Sequence, residues 1–315
     1  MRPKTPAPAR KARRPAPRAG AAAARAPKVR SLPGLEFSPA ELAEAMNRGF
    51  EGYIVPVHLS PALFDARFRQ VHLDLAASRI LVASGKPVGL CLISRRGWSS
   101  YVAAAGVAPE YRGAGIAREL MQECIRESRA RGERRMLLEV IAGNEPAVRL
   151  YGKLGFVAKR RLVGYVQTAA LPEIEAPSGP DPREPLVEID PLEFARETAR
   201  EGDDGLPWML APETLASLAP PTRAFRMGQD ARAMVLEVPG TGLFLRGILV
   251  RRTARGRGLG TALLRRLAAA HPGVPLKIPP VVPEDLAAGF FMARRFHLDS
   301  IAQLEMELDL RESAP

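Results

Sequence analysis

The sequence predicts an α/β fold of the α+β type, in which two tandem domains of mixed sheet and helices follow a disordered basic tail. First, runs with strand periodicity alternate with amphipathic helical runs along the 315-residue chain. Second, both halves follow one order of elements. Third, the length exceeds the roughly 100 to 200 residues of a typical single domain. We therefore expect a tail at residues 1–34, domains at 35–170 and 187–312, and a linker at 171–186.

The formal charge of +12 is concentrated at the N-terminus. Residues 1–33 hold ten of the 46 Lys and Arg and no acidic residue, which leaves +2 on the remainder. This segment consists largely of Pro, Ala and Arg, so burial cannot offset its ordering entropy. We expect a disordered, solvated extension. The alternative is an electrostatic tether that makes weak contact with nucleic acid or the ribosome.

Composition also bears on location and on metal binding. No apolar run approaches the ~18 residues of a membrane span, and the tail lacks the apolar run of a secretory signal. Cys91 and Cys124 each lie in an apolar-periodic segment, which predicts buried thiols in a reducing compartment rather than a disulfide. No spacing of His, Cys or acidic residues indicates a metal site. We expect a cytoplasmic protein without membrane or metal contact.

The predicted first domain begins with two helices that start at Ser-Pro pairs. Ser38 is an N-cap with Glu41 three residues later, which forms a capping box, and Ser60 opens the second helix. Residues 79–107 alternate β-rich runs with turn residues, as antiparallel strands in a meander do. The remaining elements are a helix at 114–131, a strand RMLLEVIA, a helix at about 145–154 and a strand RLVGYVQTA.

The linker holds five prolines, and the order then repeats. The second half offers strands MVLEVP and GLFLRGILV, a helix after RGRGLG, a strand VPLKIP, a helix PEDLAAGFFMARRF and a strand AQLEMELDL. Residues 144–156 align without a gap with residues 284–296, and residues 112–117 align with 255–260. The chain therefore contains one internal duplication.

A glycine-rich loop, RGAGIA, joins the strand that ends at Val107 to the helix that follows. Glycines let the backbone approach a ligand closely, and the first amides of a helix lack intrahelical acceptors. Together they form a site for a phosphate or pyrophosphate. The spacing is neither that of a dinucleotide-binding GxGxxG motif nor that of a P-loop.

A second motif follows this loop at a characteristic distance. The loop from Arg112 to Ala117, together with Asn144, Ala147, Leu150, Tyr151, Gly155 and Phe156, closely resembles the GNAT family of N-acetyltransferases. The resemblance covers roughly residues 36–170. It implies a mixed sheet, flanked by helices, that splays open between its fourth and fifth strands and holds acetyl-CoA in the gap.

The resemblance also implies which residues bind acetyl-CoA. The backbone at Gly106 and Val107 would pair with the pantetheine, and Asn144 would hydrogen-bond the cofactor arm. The loop amides would hold the pyrophosphate; this loop comprises Arg112, Gly113, Ala114, Gly115, Ile116 and Ala117.

The chemistry of amine attack on a thioester requires a proton acceptor and benefits from a proton donor. Tyr151 suits the donor role because its phenol is neutral at pH 7. In relatives that modify ribosomal-protein N-termini, a strand Glu twelve residues before this Tyr acts as the base, which implies that role for Glu139. The alternatives are an aromatic helix anchor for Tyr151 and a solvated or salt-bridged carboxylate for Glu139. Neither motif contains a Cys, which favours direct transfer in a ternary complex.

The second half keeps the loop but not the chemical groups. Arg255, Gly258 and Gly260 are present, whereas Pro279 and Phe291 align with Glu139 and Tyr151. Glu284 and Arg295 align with Asn144 and Gly155. We therefore expect a catalytically silent second domain that binds CoA weakly or not at all. Packing of the two domains as a pseudo-dimer is compatible with the duplication, and the sequence leaves the oligomeric state open.

These observations predict an acetyl-CoA-dependent N-acetyltransferase that acts on a primary amine of a small molecule or peptide. Residues 50–63 are expected to select the acceptor, whose identity the sequence leaves open. One alternative is a CoA-binding regulatory module with little activity. Another is a protein acetyltransferase that its basic tail recruits to the ribosome or to nucleic acid.

Overall fold

The computed structural model describes residues 29–167, the first half, and residues 184–311, the second half. Most of the predicted tail and linker therefore lies outside the described residues. The first half contains strands β1 Arg30–Pro33, β2 Leu73–Ala83, β3 Lys86–Arg96, β4 Ser99–Val107, β5 Arg135–Ile141 and β6 Val157–Gln167. Its helices are α1 Pro39–Gly49, α2 Pro61–Arg69, α3 Ile116–Ala130 and α4 Glu145–Lys153.

The second half repeats this order. Its strands are β7 Leu186–Ile189, β8 Thr222–Met227, β9 Ala231–Val238, β10 Gly242–Val250, β11 Leu276–Pro283 and β12 Phe296–Asp309. Its helices are α5 Pro191–Glu201, α6 Pro212–Ala216, α7 Leu259–Ala270 and α8 Glu284–Met292. The sequence did not predict β7, α5, α6 or β8, although Asp190 and Pro191 form a start signal for α5: Leu192 N donates to Asp190 Oδ1 at 2.8 Å.

The predicted helix starts of the first half are confirmed. The Ser38 backbone N donates to Glu41 Oε2 at 2.8 Å, and Glu41 N donates to Ser38 Oγ at 3.3 Å, which completes the capping box. Leu63 N donates to Ser60 Oγ at 3.2 Å at the start of α2. Local side-chain capping therefore fixes both helices that lead towards the predicted acceptor region.

The prediction that residues 1–34 are a disordered tail is wrong at its C-terminal end. Residues 30–33 form β1, which pairs antiparallel with β2 through Ser31↔Leu81 and Leu32↔Ile80. Val29 packs against the adjacent core. The composition did not predict this strand, because strand pairing uses backbone groups and the Arg, Ser and Pro side chains give no strand pattern.

All twelve strands of the described residues form one sheet, in the order β1-β2-β3-β4-β5-β12-β6-β11-β10-β9-β8-β7. The predicted fold class is confirmed, but the two halves exchange their last strands. β12 lies between β5 and β6, with Glu305 opposite Glu139, and β6 pairs with β11 through Tyr165↔Ile278. The predicted domains follow the chain, whereas the sheet interlocks them.

Four apolar clusters of buried residues lie against the helices of the two described halves. In the first, α3 and α4 pack on the sheet together with Met306, Leu308 and Leu310 from the second half. Cys91 and Cys124 are buried in this core as free thiols, as predicted. In the described part of the chain, no helix meets the length and hydropathy needed to cross a bilayer. No cluster of potential metal ligands occurs there either.

Candidate active site

The sheet opens between β4 and β5. Their parallel pairing runs from Ser99↔Arg135 to Val102↔Leu138 and then stops. Within the described residues, no ladder connects residues 103–107 of β4 with residues 139–141 of β5. The splayed sheet that the resemblance implies is therefore present, and Glu139 is the first residue of β5 beyond the point of separation.

A glycine-rich cradle, residues 112–117, lies beside this opening. Gly113 and Gly115 adopt φ values of 79° and 84°, a left-handed conformation that favours glycine. Gly115 is the N-cap of α3, so the loop turns directly into the first amides of the helix. These amides carry partial positive charge, which suits an anionic group.

The Arg112 side chain holds the cradle in place. Its Nε donates to Val107 O at 2.7 Å, and its Nη2 donates to Glu51 O at 2.7 Å and to Gly49 O at 3.2 Å. These bonds join the loop to the end of β4 and to the segment after α1. Arg112 therefore orients the backbone of the cradle, and binding of the anion by the loop amides stays a prediction.

Gly106 lies where the C-terminal end of α1 approaches the sheet closely. A Cβ atom there would lie 2.8 Å from Gly49 O and 2.9 Å from the Phe50 ring. Val107 is buried and faces Gly89 in the β3–β4 ladder. Packing thus explains the glycine at position 106, and pairing of this backbone with pantetheine stays a prediction.

Asn144 and Tyr53 meet near the start of α4. Asn144 Oδ1 accepts from Ala147 N at 3.4 Å and so caps the helix. Burial raises the pKa of the Tyr53 phenol. A smaller, lowering effect comes from its hydrogen bond with Asn144. The sequence did not single out Tyr53, which lies in the segment that is expected to select the acceptor. The predicted contact of Asn144 with the cofactor arm is untested.

Tyr151 lies in α4 and is only 8% exposed. Its ring packs edge-on against Phe156, with centroids 5.8 Å apart. Burial, with smaller contributions from Cys91 and Tyr53, raises the pKa of the phenol well above its ordinary value. The hydroxyl therefore stays protonated at neutral pH, as a proton donor must.

Glu139 is not a fully solvated carboxylate. Its Oε1 is buried and has no hydrogen-bond partner among the described residues. Burial and the neighbouring Glu305 raise the pKa of Glu139 to about 8, against smaller lowering effects of Tyr101 and Arg160. Because the raised pKa favours the neutral acid, Glu139 becomes able to accept a proton only as the pH approaches 8.

Residues of the second half pack on the first half at Tyr101. Trp208 stacks on Tyr101 with ring centroids 5.1 Å apart and an interplanar angle of 8°. Its Nε1 donates to Val71 O at 3.2 Å, and the Arg96 guanidinium lies 4.0 Å from the Trp208 ring centroid. Tyr101 packs in the core on the sheet, and its hydroxyl also interacts with Glu139. Sequence reasoning missed Trp208 and Glu305, because no local pattern shows which distant strands become neighbours.

The second half has an equivalent cradle. Gly256 and Gly258 adopt φ values of 79° and 81°. Arg255 Nε donates to Val250 O at 3.2 Å, and its Nη2 donates to Glu201 O at 3.2 Å. This arrangement matches that of Arg112, so the duplication extends to the side chain that positions the loop.

The chemical groups of the second half differ, as the alignment predicts. Phe291 is 2% exposed in the position equivalent to Tyr151. Pro279 lies where the β11–β6 register is interrupted, between Ile278 and Val282. A cavity of about 700 Å³ extends from the second cradle; its lining includes Phe194, Arg246, Leu259, Val282, Phe290 and Arg294.

A forked mixed sheet with a glycine-rich helix start beside the fork defines an acetyltransferase-type fold. More specifically, residues 42–156 match the model of the acetyltransferase (GNAT) family. Proteins of this family use acetyl-CoA.

Individual proteins resemble parts of the chain or all of its fold. N-alpha-acetyltransferase MAK3 of Arabidopsis thaliana is 38% identical over 85 residues, which cover 26% of this chain and 45% of that protein. Mycothiol acetyltransferase of Corynebacterium glutamicum is 42% identical over 60 residues, or 19% of this chain and 20% of that protein. The chain thus spans less than half the length of these curated relatives.

Several solved structures resemble the chain over both halves. A tandem GNAT protein from the clavulanic acid biosynthesis pathway aligns with a TM-score of 0.62 and 15% identity. The alignment covers 91% of this chain and 100% of that one. At this identity the similarity demonstrates a shared tandem fold.

Proposed function

We propose that the protein is an acetyl-CoA-dependent N-acetyltransferase with its active site in the first half. The observation that carries this proposal is the fork between β4 and β5, which has the glycine-rich cradle beside it and Glu139 where the strands separate. The loop amides suit the pyrophosphate, and residues 103–107 offer a strand edge along which pantetheine can pair. The boundaries 35–170 and 187–312 remain our proposal for the two repeats.

The residues at the fork have complementary roles in the transfer. The ionised Glu139 carboxylate accepts the proton of the attacking amine, directly or through water, while a C–N bond forms at the acetyl carbon. The Tyr151 hydroxyl donates a proton to the sulfur as the C–S bond breaks. Cys91 and Cys124 are buried in the core, which supports direct transfer over an acyl-cysteine intermediate.

The test is acetyl transfer by the full chain to a panel of amines. The panel should contain small primary amines and peptides with free N-termini, with release of the CoA thiol and the mass of the product as readouts. We expect one acetyl group on one class of acceptor. Binding of CoA without transfer to any member of the panel would instead support the regulatory module.

A second candidate function, CoA binding without turnover, applies to the second half. The cavity of about 700 Å³ and the intact cradle around Gly258 favour it over the weak binding or lack of binding that the sequence predicts. Without counterparts of Glu139 and Tyr151, this site would hold a CoA compound unchanged. The proposed contact of the tail with nucleic acid or the ribosome concerns residues outside the described part.

Matched substitutions in the two cradles separate these sites. Gly115→Val and Gly258→Val each place a β-branched residue at a left-handed position, with φ of 84° and 81°, where such a residue is strained. By calorimetry we expect two equivalents of CoA on the native chain and one on each variant, and only Gly115→Val should stop acetyl transfer. A single equivalent on the native chain would contradict the second site.

A further inference from the structure

Glu305 enters the active site of the first half from the second half. Strand exchange places β12 beside β5, with Glu305 directly opposite Glu139 in the antiparallel register. Side chains at such paired positions lie on one face with Cβ atoms roughly 4.5 to 5.5 Å apart. Glu305 is only 3% exposed, so solvent screens the two carboxylates poorly.

The two carboxylates have unequal partners. Arg160 Nε donates to Glu305 Oε2 at 2.5 Å, and Arg160 Nη2 donates to Gly205 O at 2.6 Å. This ion pair places the Arg160 guanidinium beside the Glu305 carboxylate. Glu139 forms no salt bridge among the described residues, and its Oε1 is buried without a partner. Two adjacent buried carboxylates resist double ionisation, and Glu139 is the one that lacks an ion-pair partner among the described residues.

We propose that Glu305 is a positioning residue that acts through Glu139: it keeps a proton on Glu139 at neutral pH and thereby sets the pH above which the first half can deprotonate its acceptor. This inference rests on the proposed role of Glu139 as the base. The charged and titratable groups around Glu139 and its partner Tyr101 are Arg96 on β3, Tyr101 on β4, Arg67 on α2, Glu305 on β12 and Arg160 on β6.

In this arrangement a residue of the second half affects proton transfer in the first half. Burial, and after it the neighbouring Glu305 carboxylate, raises the pKa of Glu139 to about 8. Below that pH the neutral acid cannot accept a proton. Removal of the Glu305 charge should let Glu139 ionise at lower pH, because the like-charge repulsion disappears.

Infrared titration of the full chain tests this step without an acceptor. The native protein should show the carbonyl band of a protonated carboxylic acid that disappears with a midpoint near pH 8 and is absent in Glu139→Gln. Glu305→Gln should lower this midpoint by about one pH unit or more. Glu305→Asp, which retains the charge, should keep a high midpoint.

Glu307→Gln is the matched control. Glu307 lies on the same strand and pairs with Lys159 at 3.2 Å, but it faces Val157 in the ladder and not Glu139. This variant should leave the midpoint unchanged. Thermal melting identifies any general loss of stability, because a merely structural role of Glu305 would lower the melting temperature without a shift of the midpoint. That outcome would overturn the proposal.

The dependence of kcat/KM on pH separates the inference from the proposed function. With one acceptor for all variants, the acidic limb should shift to lower pH in Glu305→Gln, while Glu139→Gln should lose most activity. If Glu139→Gln retains full activity, the base of the proposed function is wrong. If Glu139→Gln is inactive and Glu305→Gln leaves both the limb and the infrared midpoint in place, only the role of Glu305 is wrong.

Discussion

A chain that ends after residue 185 should fail to fold and should show no acetyl transfer. Without β12, strand β5 has an unpaired edge, and β6 loses the neighbours on both of its sides. The first core loses Met306, Leu308 and Leu310. Each buried side chain of this size contributes about 1.5 to 3 kcal/mol, against a typical total stability of about 5 to 15 kcal/mol. Circular dichroism, thermal melting and solubility are the measurements.

The matched control keeps every strand and breaks only the chain. A protease site inserted within residues 168–183 and cleaved after folding should leave both fragments associated, because β12 and β6 still occupy their places in the sheet. The cleaved protein should retain its melting temperature and activity to within a few-fold. A soluble, active fragment of residues 1–185 would show that the strand exchange is dispensable.

Tyr151→Phe should lower kcat by about two orders of magnitude or more and leave the affinity for CoA unchanged. The substitution removes the hydroxyl that we propose as the proton donor and retains the ring that packs against Phe156. The second half supplies an internal precedent, since Phe291 occupies the equivalent position at 2% exposure and packs on Phe296. A phenylalanine is therefore compatible with this core.

Steady-state turnover, CoA titration and thermal melting together test this expectation. A lower kcat with an unchanged dissociation constant and melting temperature supports proton donation by the hydroxyl. Unchanged turnover on the true acceptor would remove Tyr151 from the mechanism and would favour the alternative of an aromatic helix anchor. A loss of CoA affinity would indicate that the hydroxyl contacts the cosubstrate before the reaction.

Elements with local signals were predictable from the sequence. The caps at Ser38 and Ser60 act within three residues, so the sequence alone indicates where α1 and α2 begin. Positions that align between the two halves also share backbone conformation. Gly155 and Arg295 both have positive φ, at 92° and 60°. The alignment with Gly155 therefore indicates a left-handed backbone at Arg295, although that residue is not a glycine.

Features that depend on long-range pairing were not predictable. The position of Glu305 opposite Glu139 depends on which strands become neighbours and on a register that no local pattern encodes. Trp208 reaches Tyr101 from a loop of the other half, so periodicity gave no sign of that contact. The sequence therefore predicted candidate site residues of the first half, and the structure adds Glu305 and Trp208 from the second half.

The exchanged strand also constrains folding during synthesis. β5 is complete at Ile141, whereas its neighbour β12 ends at Asp309, close to the C-terminus. At about 5 to 20 residues per second, a ribosome needs on the order of 10 s to produce the intervening chain. During that interval the edge of β5 lacks its native partner β12. Completion of the first half must therefore follow translation of the second, and chaperones that shield open strand edges should associate with the nascent chain in this window.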